Sequence, residues 1–196
     1  MSPNGDKAEK RSDEYTYRRA WGPQARMKAR AQLQAVIDQE HDLLRLVEAA
    51  ARVVCEVLTA RTVTVTILED DAYRDLAKVG DLTPRERIVS SNRYPISDYP
   101  EATKRLLAQE AYVSTEQQRE FQQEHLQIVP PALVSCFMGV PIVADGAVKG
   151  ELFVTRPAGK PQFTTDDIEV ARDLATQFGV QLAPLLAQKY AENPNW

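Results

Sequence analysis

The sequence is poor in the features that mark cross-linked, membrane-embedded or nucleic-acid-binding proteins. Its 196 residues include two cysteines, Cys55 and Cys136, which is too few for a disulfide framework and gives no sign of an oxidising compartment. No apolar run is long enough to span a membrane and no signal-peptide core follows Met1, so we expect a cytoplasmic protein with no membrane partner. The net charge of −4 argues against a broad phosphate-binding surface, and nucleic acid is not expected as a partner.

The sequence also lacks the motifs of common catalytic and metal sites. It has no zinc-ligand spacing, no glycine-rich phosphate loop and no nucleophile elbow. The acid pairs Asp70-Asp71 and Asp166-Asp167 fit a hairpin turn and a helix N-terminus, where carboxylates have structural reasons to occur. We therefore predict no catalytic residue, no metal site and no enzymatic activity, and the sequence leaves the cofactor unknown.

The composition that remains is that of one globular domain with extensions. Hydrophobic residues make up 43% and charged residues 27%, which are ordinary values. Residues 1–20 hold almost no aliphatic side chains and are predicted to form a flexible arm. Residues 24–58 contain neither glycine nor proline and predict one continuous helix of roughly 50 Å. We expect its first part, residues 21–42, to extend beyond the domain or to pack on a second copy.

Alternating side chains predict two pairs of strands. Residues 61–68 alternate threonine with aliphatic residues, and residues 72–79 follow after an acidic turn. Residues 134–143 and 147–154 flank the turn Asp145-Gly146 and predict a β-hairpin.

The segment between these strand pairs has weaker patterns. Residues 87–91 are interpreted as a strand and residues 112–113 as a brief one. Pro100 at a first helical position predicts a short helix over residues 100–109. The Gln- and Glu-rich residues 115–127 predict a weakly packed helix or a lid. An apolar stripe at helical spacing predicts a closing helix over residues 165–189.

The closing unit resembles the C-terminal half of a GAF domain. It contains a strand with the step Val140-Pro141-Ile142, a short turn, a strand that holds Gly150, and a helix introduced by Phe163-Thr164 and acids. The segment 93–100 resembles the middle of GAF modules found with signalling output domains. The resemblance runs from about Leu43 to Leu186, and we assign residues 43–190 to the domain and residues 191–196 to a tail.

The resemblance implies an α+β fold with a six-stranded antiparallel sheet. The terminal helices would cover one face of the sheet, and a helical and loop insert, residues 94–127, would cover the other. Each strand has an apolar face and a mixed face, and apolar helix stripes need an apolar partner. We therefore expect the apolar face to pack on the terminal helices. Its predicted members are Val63, Val65, Ile67, Val134, Cys136, Met138, Val140, Ile142, Val148, Leu152 and Val154.

The mixed face, which holds hydroxyls, aromatics and small residues, would then lie under the insert. An apolar concave surface with a few polar groups suits a small-molecule pocket. We predict a pocket floor and a pocket wall from residues of this face and of the insert. The candidate ligand-binding residues are Thr64, Ser135, Phe137 and Phe153 on the floor, and Arg93, Tyr94 and Tyr112 on the wall. The competing interpretation is that these side chains fill a second core and that Arg93 makes a surface ion pair.

Haem and redox sensing are weighed as alternatives. Some GAF sensors bind haem through a histidine in the insert, and His125 lies in the comparable region, but no second ligand is evident. GAF enzymes that reduce free methionine sulfoxide use several suitably placed cysteines. Cys136 falls on the apolar face and Cys55 on a helix stripe, where thiols are unreactive, so structural roles are favoured for both.

The resemblance implies a non-enzymatic sensor that binds an unidentified small molecule and signals through its terminal helices. A homodimer through the N- and C-terminal helices and a signalling partner protein are the expected partners. The alternative is an interaction or dimerisation module without a ligand. Because no output domain follows the closing helix, we expect either a partner protein to supply the output or the chain to be a fragment.

Overall fold

The structure is a computed structural model that describes residues 21–88, 93–114, 131–194 and 196. The predicted arm, the predicted lid at 115–127 and His125 lie outside the described residues. Two short 3-10 helices, Ile96–Asp98 and Pro131–Leu133, accompany the helices and strands. In chain order these are α1 (Pro23–Gln39), α2 (Leu43–Val57), β1 (Thr62–Leu68), β2 (Ala72–Gly80), α3 (Pro84–Ile88), β3 (Arg93–Pro95), α4 (Pro100–Leu107), β4 (Tyr112–Val113), β5 (Val134–Ala144), β6 (Ala147–Pro157) and α5 (Thr165–Glu192).

The six strands form one antiparallel sheet in the order β3-β2-β1-β6-β5-β4, which confirms the predicted fold class. The central position of β1 explains why its threonines and valines are all buried. The β5–β6 hairpin closes through Asp145 and Gly146, with φ of 53° and 73°. Positive φ at both turn residues matches the twist of the flanking strands.

The apolar face of the sheet packs on α2 and α5, as predicted, and α1 packs on these two helices. One continuous core joins the aliphatic side chains of the strands to those of the three helices. Phe178 and Leu182 of α5 are fully buried in this core, as are Leu46 and Leu33 of the first two helices. Of the eleven residues predicted for the apolar face, nine belong to it. The prediction was wrong for Val134, which packs with Phe137 and Phe153 on the other face because a bulge follows it. Val148 is half-buried outside this core.

The prediction of one helix over residues 24–58 was wrong. The chain leaves α1 at Glu40, which is extended, and Asp42 caps α2 because its side chain accepts a hydrogen bond from the Arg45 backbone N–H at 3.0 Å. Helix α1 then folds back on the domain, with Ala29 and Leu33 buried against α2 and α5. The indole N–H of Trp21 donates to Asp167 of α5 at 2.8 Å. The N-terminal segment is therefore part of the same core in this chain.

The predicted strand at 87–91 was also wrong where the structure describes it. Residues 84–88 form α3, which begins with a capping box in which Thr83 and Glu86 accept each other's backbone N–H groups. Glu86 also forms a two-pronged buried ion pair with Arg61, with N···O distances of 2.9 and 2.8 Å. Burial opposes the ionisation of Glu86, but the bonds from Arg61 and Thr83 outweigh it and lower its pKa to about 2.

The remaining sequence-predicted elements that fall within the described residues were confirmed. Helix α4 begins at Pro100 and β4 is the two-residue strand at Tyr112. Thr164 caps α5 in a capping box with Asp167, and the helix runs three residues beyond its predicted end. None of the helices among the described residues combines the length and the hydrophobicity needed to cross a membrane.

Candidate functional site

The mixed face carries a second, smaller core that is aromatic. Phe137 and Phe153 pack with their ring centroids 5.2 Å apart, and Ala102 and Leu106 of α4 close over the cluster from the insert. Tyr73 and Tyr112 complete it. The predicted placement of Phe137 and Phe153 on the insert side of the sheet is thus confirmed.

A cavity of about 50 Å³ lies beside this aromatic cluster, between the sheet and the insert. We name it the insert-side cavity. Such a volume holds a few water molecules or an organic molecule of a few non-hydrogen atoms. Its described lining is Thr64, Thr66, Tyr73, Asp75, Lys78, Tyr94, Tyr99, Ala102, Tyr112, Glu151 and Phe153.

A β-bulge in β2 brings two opposite charges to this cavity. Thr66 pairs with Asp75 and Val65 pairs with Ala77, so Leu76 is an extra residue in the strand. In a regular strand, residues three apart point to opposite faces. Because of the bulge, Asp75 and Lys78 both line the cavity, with Lys78 Nζ 3.7 Å from Asp75 Oδ2.

Asp75 is a buried carboxylate with several partners. Its Oδ1 accepts a hydrogen bond from the Thr66 hydroxyl at 3.0 Å, and its Oδ2 accepts one from the Tyr94 hydroxyl at 3.1 Å. Burial raises the pKa of Asp75, although the charge of Lys78 and these hydrogen bonds oppose the shift. The carboxylate therefore fixes the Tyr94 side chain of β3 to the floor of the cavity.

Glu151 is the second carboxylate in the cavity lining. The Tyr112 hydroxyl donates to its Oε1 at 2.6 Å, and Glu151 itself is 7% exposed. Burial raises its pKa to about 7, with a further contribution from the negative charge of Asp75. Gly139 makes the contact possible, because a Cβ at that position would lie 2.0 Å from Glu151 Oε1 and 2.3 Å from the Tyr112 ring.

The structure brings together four of the seven predicted site residues. Thr64, Tyr94, Tyr112 and Phe153 line the insert-side cavity. Phe137 lies in the aromatic cluster behind it. That any of them binds a ligand stays a prediction.

The other two predicted residues lie elsewhere. Ser135 is the extra residue of a second bulge, between Val134 and Cys136, and its hydroxyl lies 3.9 Å from the Cys136 sulfur. Arg93 is 60% exposed at the other end of β3 and pairs with Glu69 at 2.6 Å. Neither side chain is part of the described lining of the cavity.

The ion pair of Arg93 belongs to a polar group that we name the Glu69 cluster, comprising Glu69, Arg74, Arg93, Tyr190 and Trp196. Glu69 lies in the β1–β2 turn, accepts a hydrogen bond from the Tyr190 hydroxyl of α5 at 3.0 Å, and forms an ion pair with Arg74 at an N···O distance of 3.0 Å. The Arg74 guanidinium stacks on the Trp196 ring at 4.0 Å. The cluster therefore ties the end of α5 to the turn and to β3.

The cysteines occupy apolar surroundings. Cys136 is buried in the main core and Cys55 is half-buried on α2, and burial raises the pKa of both thiols. High-pKa thiols are poor nucleophiles. Among the described residues no group of His, Cys, Asp and Glu side chains has the arrangement of a metal site.

Sequence reasoning missed three charged residues of the cavity. Leu152 lies on the apolar face, so alternation places the neighbouring Glu151 on the mixed face. No signal in the sequence showed that this glutamate is buried and not solvated. Asp75 and Lys78 were hidden because the bulge at Leu76 breaks the alternation of β2. Only the three-dimensional pairing shows that these charges converge.

Comparisons with known proteins agree with this geometry. The family model described as "GAF domain" matches residues 42–182. The GAF domain of a phosphoenolpyruvate-protein phosphotransferase from Coxiella burnetii has 17% sequence identity and a TM-score of 0.64, covering 85% of this chain and 97% of its own. The corresponding Acinetobacter domain has 15% identity and a TM-score of 0.66, covering 84% of this chain and 96% of its own.

A sensory protein is also similar in fold. The chromophore-binding domain of a bacteriophytochrome from R. palustris has 16% identity and a TM-score of 0.61, covering 84% of this chain and 62% of its own. At these identities the solved structures establish the fold alone. None of the curated proteins matches the chain.

Proposed function

The chain belongs to the GAF domain family, and from this premise we propose that it is a non-enzymatic sensory module that binds a small molecule in the insert-side cavity. A sensory or regulatory role is supported by the family and by the similarity of fold to a bacteriophytochrome domain. The bound molecule would favour one arrangement of the insert, and this change would reach the terminal helices.

The observation that carries the proposal is the polar lining of the cavity. Asp75, Lys78 and Glu151 are largely buried around a space that an organic molecule can enter. Buried charges are costly unless they are paired or hydrogen-bonded. A ligand with matching polar groups would offset this cost, which a simple second core would not require.

The Glu69 cluster offers a route from the cavity to the last helix. Tyr94 lines the cavity and bonds to Asp75, and the adjacent Arg93 pairs with Glu69. Glu69 in turn accepts a hydrogen bond from Tyr190 near the end of α5. A shift of β3 on ligand binding would therefore alter a contact of the C-terminal helix.

Output through a homodimer is part of the proposal. Met27 of α1 and Val180 of α5 are 70% and 67% exposed, and Leu44 of α2 is exposed as well. These apolar side chains on the three terminal helices support self-association through them. Light scattering of the wild type and of Val180→Glu tests this, because the substitution should convert a dimer to a monomer.

Thermal-shift screening of the purified chain tests ligand binding. A ligand that binds the folded state raises the melting temperature by mass action, and mass spectrometry of co-purifying small molecules identifies candidates. A panel of nucleotides, amino acids and other metabolites should include at least one stabilising compound whose effect is lost in Tyr94→Ala. If no compound has an effect and nothing co-purifies, the interaction module without a ligand becomes the better description.

A further inference from the structure

The ammonium group of Lys78 lies in the insert-side cavity, where it is paired with a single carboxylate among the described residues. Its side chain is 7% exposed, and its nearest acidic oxygen, Asp75 Oδ2, is 3.7 Å away. Within the described part of the chain, Asp75 is the acidic partner of this group. An ammonium group carries three donors, so the lysine presents unmade hydrogen bonds to the cavity.

Glu151 offers a hydrogen-bond acceptor that complements the donors of Lys78. Tyr112 is the described residue that donates to it, and that bond uses Oε1. Of the described residues, none donates to Oε2, although the side chain is more than nine-tenths buried. An ionised carboxylate accepts at both oxygens, so Oε2 can take a donor from within the cavity.

The sheet register sets the spacing between these two groups. Thr66 pairs with Asp75 of β2 on one side and with Glu151 of β6 on the other. Adjacent strands lie about 4.8 Å apart, so the backbones of the two acids are roughly 10 Å apart. Lys78 lies beside Asp75, and the long side chains of Lys78 and Glu151 both line the insert-side cavity. The remaining space suits a molecule of a few non-hydrogen atoms, in agreement with the cavity volume of about 50 Å³.

We propose that the insert-side cavity binds a small zwitterion of the amino-acid type, with its carboxylate at Lys78 and its ammonium group at Glu151. The inference rests on the proposed function and specifies its ligand class. A ligand with only a positive charge could pair with Glu151 but would leave the donors of Lys78 without an acceptor. A ligand with only a negative charge could pair with Lys78 but would be repelled by the carboxylates of Asp75 and Glu151. A zwitterion gives each unsatisfied group an opposite charge.

Isothermal titration and thermal shift at pH 8, where Glu151 is ionised, test the ligand class with compounds matched in size. Glycine, alanine, serine and β-alanine carry both charges, propionate lacks the ammonium group, and ethylamine and ethanolamine lack the carboxylate. We expect at least one of the zwitterions to bind, about tenfold or more tightly than either single-charge set. Equal binding of propionate or of ethanolamine would overturn the assignment of the two ends.

Two variants test which residue recognises which end. Lys78→Met should lower the affinity for the zwitterion by about tenfold or more and remove its advantage over ethylamine. Glu151→Gln should remove the advantage over propionate. Lys104→Met on the exposed surface of α4 and Glu48→Gln on α2 make the same charge changes away from the cavity and should bind like the wild type. The loss of discrimination between compounds is readable even where a variant is less stable.

Failure of this inference can be told apart from failure of the proposed function. If no zwitterion binds but another metabolite stabilises the wild type and not Tyr94→Ala, the cavity is a ligand site and the zwitterion assignment is wrong. If neither binds, both are wrong. If a zwitterion binds equally to Lys78→Met and Glu151→Gln, it occupies another place and the inference is overturned.

Discussion

The two faces of the sheet differ in how they are filled. On the helix side, Leu152 and its neighbours form one continuous apolar core, and the buried Arg156 on the same face of β6 is paired with Asp167 of α5. On the insert side, one residue further along the same strand, Phe153 borders a cavity lined by two carboxylates and an ammonium group. The helix-side face therefore stabilises the fold, whereas the insert-side face carries buried charged groups that lower the stability.

The largest expected effect comes from breaking the helix-side face. Leu152→Ala should lower the free energy of unfolding by about 2–5 kcal/mol, because it leaves a void in a core that cannot collapse. Thr64→Ala on the insert side is the matched control and should cost about 1 kcal/mol, since Thr64 already borders empty space. Urea denaturation of both variants makes the comparison. Equal losses would mean that the two faces are packed alike.

The pH dependence of stability should reveal the buried acid of the insert side. The pKa of Glu151 is raised from 4.5 to about 7. Between these values the folded protein binds more protons than the unfolded chain, so this group lowers stability as pH rises from about 4.5 to 7 and contributes a constant loss above that.

This loss amounts to roughly 3 kcal/mol across the window. Unfolding free energies of the wild type and Glu151→Gln at pH 5 and pH 8 measure it, and the difference should shift in favour of the variant as pH rises. Glu110→Gln on the exposed surface should follow the wild type. A constant difference between Glu151→Gln and the wild type would show that Glu151 titrates normally.

A glycine on each face tests how closely the layers approach. Gly139→Ala should cost about 1–3 kcal/mol, because the added Cβ would overlap Glu151 Oε1 and the Tyr112 ring. On the helix side, a Cβ at Gly179 of α5 would lie 2.6 Å from the Val143 backbone oxygen. Gly179→Ala should therefore be at least as harmful, although alanine favours the helix.

Thermal and urea unfolding measure both substitutions. Only Gly139→Ala should also abolish the stabilisation given by a cavity ligand. Loss of ligand stabilisation in Gly179→Ala at a temperature where it remains folded would contradict the separation of the two faces.

The smallest effect on stability is expected at the junction of the faces. Arg93→Gln removes an ion pair between the exposed Arg93 guanidinium and the largely buried Glu69 carboxylate, and should change the free energy of unfolding by about 1 kcal/mol. If the Glu69 cluster links the cavity to α5, the same variant should still bind the ligand but lose the ligand-dependent change at Tyr190. Hydrogen exchange of residues 185–192 with and without ligand reads this out. An unchanged response would remove Arg93 from the route.

Much of the fold could be predicted because strong local patterns agree with the tertiary structure. The alternation of Thr62–Leu68 and of the closing hairpin indicated both the strands and most of their faces, since β1 and β6 are central and pair with each other without a register shift. The break between α1 and α2 was missed although Asp42 is a good helix cap. The capping box of Thr83 and Glu86 was a second available signal that was not used.

The site was predicted less completely because its charges depend on tertiary register. Alternation correctly placed Thr64 and Phe153 on the cavity side. It misplaced Ser135, which is the extra residue of a bulge, and it could not place Lys78 beside Asp75. A bulge shifts every later side chain of a strand by one position, and composition alone does not reveal where it falls.

The bulge at Leu76 determines where β2 can lose a residue without disturbing its pairing with β1. Thr66 pairs with Asp75 and Val65 pairs with Ala77. The residues on both sides of Leu76 are therefore paired with β1 as they would be if Leu76 were absent. Loss of that one codon would leave Lys78 opposite Thr64 and both charges in place. Leu76 is therefore a position in β2 where an alignment of relatives can carry a gap while Asp75 and Lys78 stay on the same face.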